Sequence, residues 1–316
     1  MRDFLTGQEV KRGLKHGANA TVTPQRPSSL LYLAVSYASV YSMEMINGTL
    51  PIAVAVALLY GRATATKASK ASRSDRWRNI YSRKGIQADN TTPLHVLGGY
   101  DMFTLQQWLD QISILVGDKG PATTFNRNLA ILPTEKVLEV GVGGGAFIDA
   151  LQKIFGHFEM NGIDYCQSLI DRASARLVGN FAQGDARDLS PVPFATDASF
   201  DVVISFGVTQ YLNSLIDVEK KFAEMVRVAK PGGRVVCCEV SDSAKEYIAD
   251  AIRAKANAGR KQISNDVLTH LYIPKTFWID MCDKYDVSFV GLVDHSDLGL
   301  NYATAPYRYS VFFVKN

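Results

Sequence analysis

At 316 residues, 47% hydrophobic and 21% charged, the chain has the composition of an ordinary globular protein, which excludes a wholly disordered or collagen-like chain. Its net charge of +3 hides an asymmetry: residues 1–100 carry thirteen Lys/Arg against five Asp/Glu, and the remainder twenty-one against twenty-six. The back part is acidic and lacks a basic stripe, so a nucleic-acid substrate is not expected.

Residues 1–29 are polar and include "TPQRPSS"; they are expected to be disordered. A mitochondrial presequence is the alternative, weakened by Asp3 and Glu9. Residues 30–61 are apolar, and Glu44 is the one charged residue among 30–60. A single span needs about 20 apolar residues, and Asn47, Gly48 and Pro51 interrupt the run. A tilted span, a shallow hairpin and helices packed on the folded part all remain open. Residues 62–84 hold eight Lys/Arg and one acid, a juxtamembrane cluster that favours a membrane anchor with the folded part in the cytosol. The alternative is a soluble cytoplasmic or mitochondrial protein. Residues 62–75 read as a basic linker.

From residue 76 the pattern is globular, with a helical lid over 76–132 and a core over 133–316. Leu105, Trp108, Leu109, Ile112 and Leu115 share one face of a helix over 105–116, opened by a capping box of Thr104 and Gln107. Strands are then expected at 136–140, 159–164, 180–183, 201–206, 233–240, 286–293 and 307–315. Helices near 146–156, 167–178, 215–229, 243–257 and 274–283 fall between them. That alternation predicts an α/β fold, a Rossmann-like doubly wound seven-stranded sheet. The last strand follows its predecessor through a loop alone, so it is expected to be antiparallel. The four cysteines (Cys166, Cys237, Cys238, Cys282) show no metal-ligand spacing.

The stretch "VLEVGVGGGAF" at 137–147 turns an apolar strand into a helix through Gly141, Gly143 and Gly145, where ligands of open α/β sheets bind. The glycine spacing also satisfies a dinucleotide fingerprint. Glu139 separates the readings, because a carboxylate beside the turn repels a pyrophosphate and favours an ammonium or sulfonium, whose carboxylate partner can still use the helix N-terminus. Asp164 closes the second strand and suits a pair of ribose hydroxyls. Asp185 closes the third and can accept from an adenine amino group. Ser205 and Gly207 end the fourth strand as a ligand-lined mouth would.

Glu139–Gly145 as E-x-G-x-G-x-G, Asp164, Gly184–Ala186, "SFGVTQYL" at 205–212 and "KPGG" at 230–233 together resemble the class I S-adenosylmethionine-dependent methyltransferases, in their small-molecule branch. The resemblance covers the last two-thirds of the chain. It implies S-adenosylmethionine as cofactor, held by Glu139, Gly141, Val142, Gly143, Gly145, Asp164, Tyr165, Asp185, Ala186, Ser205 and Gly207. It implies methyl transfer to a small molecule, expected to be oxygen- or nitrogen-directed, and the apolar front adds a lipid as a candidate acceptor. Tyr211 and His95 are then the catalytic candidates, and Tyr100, Tyr211 and His270 the substrate contacts, with Tyr272 and Lys275 nearby. A membrane-held binding scaffold without activity and an NAD(P)-dependent oxidoreductase are the rival readings.

Overall fold

The computed structural model describes residues 71–117, 129–257 and 269–316. The expected anchor, the disordered N-terminus and most of the expected linker lie outside these residues. No helix of the described residues is long and apolar enough to cross a membrane.

Among the described residues, three helices precede the sheet: α1 (Arg73–Gln87), α2 (Leu94–Leu97) and α3 (Leu105–Val116). Ser72 caps α1 by accepting from Asp75 N, and Thr104 with Gln107 forms the expected capping box on α3. Helix α1 begins at Arg73, inside the stretch read as linker. Its first turn is basic, but its Trp77 and Tyr81 lie one turn apart and give it an aromatic stripe.

The sheet has seven strands in the order β3-β2-β1-β4-β5-β7-β6. They are β1 (Lys136–Val140), β2 (Glu159–Asp164), β3 (Asn180–Gln183), β4 (Phe200–Phe206), β5 (Ala229–Ser241), β6 (Val287–Asp294) and β7 (Arg308–Lys315). The first five run parallel, and β7 is antiparallel to both β5 and β6, as its short connection predicted. Helices α4 (Ala146–Phe155), α5 (Gln167–Ser174), α6 (Leu215–Val228), α7 (Glu246–Asn257) and α8 (Phe277–Lys284) connect the strands. Ala229 pairs with Phe200 and Arg234 with Val202, so residues 230–233 bulge from a ladder that has already begun.

The central strands are buried on both faces, and their side chains alternate between two cores. Val137, Val202, Ile204, Val236 and Cys238 pack with α2 to α4 on one face. Leu138, Val140, Val203, Val235 and Cys237 pack with α6 and α8 on the other. The adjacent Cys237 and Cys238 thus point to opposite layers, both as free thiols.

The second core also holds Lys221 of α6, fully buried without a carboxylate partner. Its ammonium donates to Thr209 Oγ1 at 2.8 Å and Ser205 Oγ at 3.0 Å, and burial lowers its pKa. The unfolded chain therefore holds more protons at this position than the native one between that lowered value and 10.5, and stability rises with pH across the window. The gap in urea midpoint between the native chain and Lys221→Met should shift in favour of the native chain as pH rises towards 10.5. A pH-independent gap would show that Lys221 titrates alike in both states.

Candidate active site

A cleft of about 400 Å³ opens at the carboxyl ends of β1 to β5, where an open parallel sheet presents its loops. Helix α1 and the segment between α2 and α3 contribute Trp77, Arg78, Tyr81, Lys84 and Tyr100 to its walls.

The glycine turn builds one end. Gly141 has φ +87°, and a Cβ there would stand 2.1 Å from Val208 Cγ2, so the site tolerates no side chain. Glu139, at 2% exposure, accepts from Ile148 N at 3.1 Å, which ties β1 to the first turn of α4. Asp164 accepts from Gly143 N at 2.9 Å and Cys166 N at 2.8 Å, one backbone donor on each oxygen. Each oxygen keeps a lone pair for a ribose hydroxyl. Burial raises the pKa of Glu139 well above the carboxylate range and raises that of Asp164. Two carboxylates that burial discourages from ionising, set around one turn, form a poor phosphate cradle and a good seat for a cationic nucleoside.

Two of the cleft's cations are engaged by neighbouring side chains. Arg187 holds Asp185 through Nε at 2.9 Å and Nη2 at 2.6 Å. Burial would raise the pKa of Asp185, but Arg187 outweighs it and keeps the value low. Asp185 is therefore engaged by its own neighbour, where the sequence reading left it free for an adenine. Arg78 lies 4.3 Å over the ring of Tyr165.

Gly141, Val142, Gly143, Asp164, Tyr165, Asp185, Ala186 and Gly207 line the cleft together with Glu139, as do Tyr100, Tyr211 and His270. Tyr211 Oη meets Tyr81 Oη at 2.9 Å, and Trp77 packs on Tyr211 at 4.6 Å and stacks on His270 at 5.2 Å. Both ring nitrogens of His270 lack a hydrogen-bond partner, and burial pulls its pKa down to about 3, so the ring is neutral.

Five expectations change. His95 is 3% exposed, its Nε2 is satisfied by Phe103 O at 2.8 Å, and it faces a separate small cavity; it is packed, not catalytic. Ser205 points to the second core, where Lys221 holds it, because strand alternation gives the cleft side to Phe206. Gly145 starts α4 at φ +91°, and a Cβ there would stand 2.4 Å from Leu177 Cδ1; its role is close packing. Tyr272 takes a hydrogen bond from Arg253 at 2.6 Å, and Lys275 pairs with Asp294 at 2.7 Å, so neither walls the cleft.

A further group was not foreseen: Glu239 of β5, Tyr302 and Arg308 of β7 line the cleft, with His295 behind them. His295 Nδ1 stands 2.8 Å from Glu239 Oε1 and 2.9 Å from Tyr302 Oη. The sequence signal was available, since Glu239 is a lone acid at the end of an apolar strand, as Asp164 is.

A nucleoside-binding α/β fold with acids around its glycine turn defines the class. Residues 138–237 match the family model described as "Methyltransferase domain". A demethylmenaquinone methyltransferase of Mycolicibacterium paratuberculosis is 32% identical over 168 residues, half of this chain and 67% of that protein. The ubiquinone/menaquinone biosynthesis C-methyltransferase UbiE of Desulfotalea psychrophila is 26% identical over 160 residues, 48% of this chain. The chain spans only 58% of that relative's length. Among solved structures, a chain of the complex between a Haloferax volcanii methyltransferase activator and its methyltransferase matches with a TM-score of 0.48 at 16% identity, over 78% of this chain and 99% of that one. The chain belongs to the class I S-adenosylmethionine-dependent methyltransferases, and S-adenosylmethionine is its cofactor.

Replacing Asp164 with Ala should weaken S-adenosylmethionine by about 1.5–3 kcal/mol, roughly ten- to hundredfold in Kd by calorimetry. Undiminished affinity would refute the ribose role.

Proposed function

We propose that this methyltransferase places its methyl group on a ring carbon of a hydroxylated aromatic acceptor of the quinol class. The observation that carries the reading is the make-up of the cleft beyond the glycine turn. Rings bound it: Trp77, Tyr81, Tyr211 and His270 form one group, while Tyr100 lies 4.3 Å from Trp108 and 6.0 Å from Phe206. Its most buried charged residues there are Glu239 and Arg308, at 2% and 3% exposure. A flat apolar ring with one or two oxygens fits such walls, since aromatic pairs add about 0.5–1.5 kcal/mol each beyond burial.

The relatives support carbon as the attacking atom, where the sequence reading expected oxygen or nitrogen. One is named for C-methylation and the other for demethylmenaquinone. A ring hydroxyl makes the neighbouring carbons electron-rich, and the bound cofactor supplies an electrophilic methyl on a sulfonium. The chain's own contribution is alignment, which can supply about 7–11 kcal/mol of barrier lowering. Asp164 and the glycine turn fix the donor end, and the aromatic walls fix the plane of the acceptor ring. Trp77 and Tyr81 of α1 and Tyr100 line the cleft on the side of the helices that precede the sheet.

The test is methyl transfer from isotopically labelled S-adenosylmethionine to short-chain demethylmenaquinol and to 1-naphthol, read by carbon NMR. The label should appear as a ring C–CH3 signal. An O–CH3 signal would move the reading to oxygen, and absence of label from both probes would refute the acceptor class.

A further inference from the structure

Among the described residues, the non-glycine residues with φ in the left-handed region are Ala198, Glu239 and Asp286. Ala198 and Asp286 are exposed. Glu239 is 2% exposed, has φ +60° and lies at a register break of the β5–β7 ladder between Cys237 and Val240. A bulge of this kind re-aims a side chain, and here it turns an acid out of the sheet's alternation and into the cleft. Backbone strain of this kind costs about 1–3 kcal/mol and persists where surrounding contacts hold it.

The two oxygens of that carboxylate are treated differently. Oε1 accepts the hydroxyl of Tyr302 and faces His295 Nδ1 at 2.8 Å. His295 is fully buried and anchored at its far side by Ser310 Oγ at 2.7 Å. Among the described residues, the cation paired with Oε2 is Arg308, whose Nε stands 3.8 Å away, too far for a hydrogen bond, and Arg308 Nε has no hydrogen-bond partner among them. Arg308 is fixed instead through Nη1, which donates to the Glu239 carbonyl at 2.9 Å. One carboxylate oxygen is thus locked and the other lacks a donor. A Cβ built on Gly207 would stand 4.0 Å from both Tyr100 Oη and Glu239 Cβ, which places a second hydroxyl without a hydrogen bond in the same space.

We propose that Glu239 Oε2 is the subsite for the acceptor's ring hydroxyl and that Glu239 is the catalytic residue that takes its proton; the proposal rests on the acceptor class argued above. The hydroxyl proton passes to Oε2 while the ring carbon beside the hydroxyl forms the new C–C bond and the C–S bond breaks. The ring then carries a carbonyl and, on the methylated carbon, both hydrogen and methyl. Loss of that hydrogen as a proton to water restores the aromatic ring, and Glu239 returns its proton to the oxygen. The net change is one C–H replaced by C–CH3, with one proton released. Arg308 carries the compensating positive charge beside the oxygen. His295 and Tyr302 are positioning residues that hold Oε1 and keep the carboxylate ionised between turnovers. Burial alone would raise the pKa of Glu239, but His295, Arg308 and Tyr302 outweigh it and hold it below the carboxylate range.

The experiment has a binding arm and a kinetic arm, both on the full chain. In the binding arm, 1-naphthol and 1-methoxynaphthalene are titrated calorimetrically into protein saturated with S-adenosylhomocysteine. The wild type should prefer the free hydroxyl at least tenfold, and Glu239→Gln should lose that preference while its affinity for S-adenosylhomocysteine stays within twofold. In the kinetic arm, Glu239→Gln should lower kcat by about two to four orders of magnitude. His295→Gln should keep most of kcat at pH 8 but move the acid limb of kcat/KM to higher pH, because Glu239 loses a group that holds its proton off. A merely structural role would leave that limb where it is. A hydroxyl preference that survives in Glu239→Gln overturns the subsite, as does an unchanged kcat. If the wild type methylates neither probe yet its hydroxyl preference depends on Glu239, the acceptor class falls and the subsite stands.

Discussion

Burying a carboxylate beside a turn of backbone N–H groups constrains everything else in this fold. Desolvation disfavours the charged form, and both Glu139 and Asp164 feel it. What offsets it is partly the protein: Ile148 N, Gly143 N and Cys166 N donate to the two carboxylates. Those same bonds clip the ends of β1 and β2 to α4, the glycine turn and α5. The remaining deficit is met by a ligand that brings positive charge, and a sulfonium nucleoside does so where a dinucleotide would add negative charge. Fold and cofactor choice therefore share one set of hydrogen bonds.

The lid is bound to the core by similarly specific contacts. Arg73 Nη1 donates to Leu212 O at 2.8 Å, and Ser74 Oγ donates to Tyr211 O at 3.0 Å. At the other end of α1, Ser168 Oγ donates to Ser82 O at 2.9 Å and Arg172 Nε to Gly85 O at 3.1 Å. The approach at Gly85 is close enough that a Cβ would lie 2.5 Å from Ser168 Oγ. One end of α1 thus touches the loop after β4, beside Tyr211, and the other touches α5, beside Asp164. A helix fixed at both places joins the two halves of the cleft in a single wall.

Strand positions were legible because period-two apolar runs and glycine punctuation survive in the sequence: β1, β2 and β3 begin and end where the pattern put them. The acids at strand ends were legible for the same reason, since a charge at the end of an apolar run has few other uses. Side-chain direction was not. Ser205 follows Ile204 in a pattern that fits either face, and only pairing with β5 shows that it points to Lys221. His95 looked available because sequence cannot show that Phe103 O satisfies it. Only the start of helix α1 was missed: Arg73–Asp75 read as the end of a basic linker, while Trp77 and Tyr81, which line the cleft, fall within the expected helical lid.

Glu239 carries the same lone-acid signal at a strand end, but the alternation of its strand points it away from the cleft. By alternation it would join Cys237 on the second core, among apolar side chains where an acid cannot stay. The ladder break and the left-handed backbone remove it from that register. Both cost free energy, and an apolar residue here would spare the fold the burden of a buried charge. Burying the whole group would be expensive without its partners, and the chain supplies three of them, His295, Tyr302 and Arg308, from the segment between β6 and β7 and from β7 itself. That the antiparallel strand lies next to β5 is what brings them within reach. The order in which the last two strands enter the sheet thus gives the Glu239 end of the cleft its charge, much as the first two strands do for the end at the glycine turn.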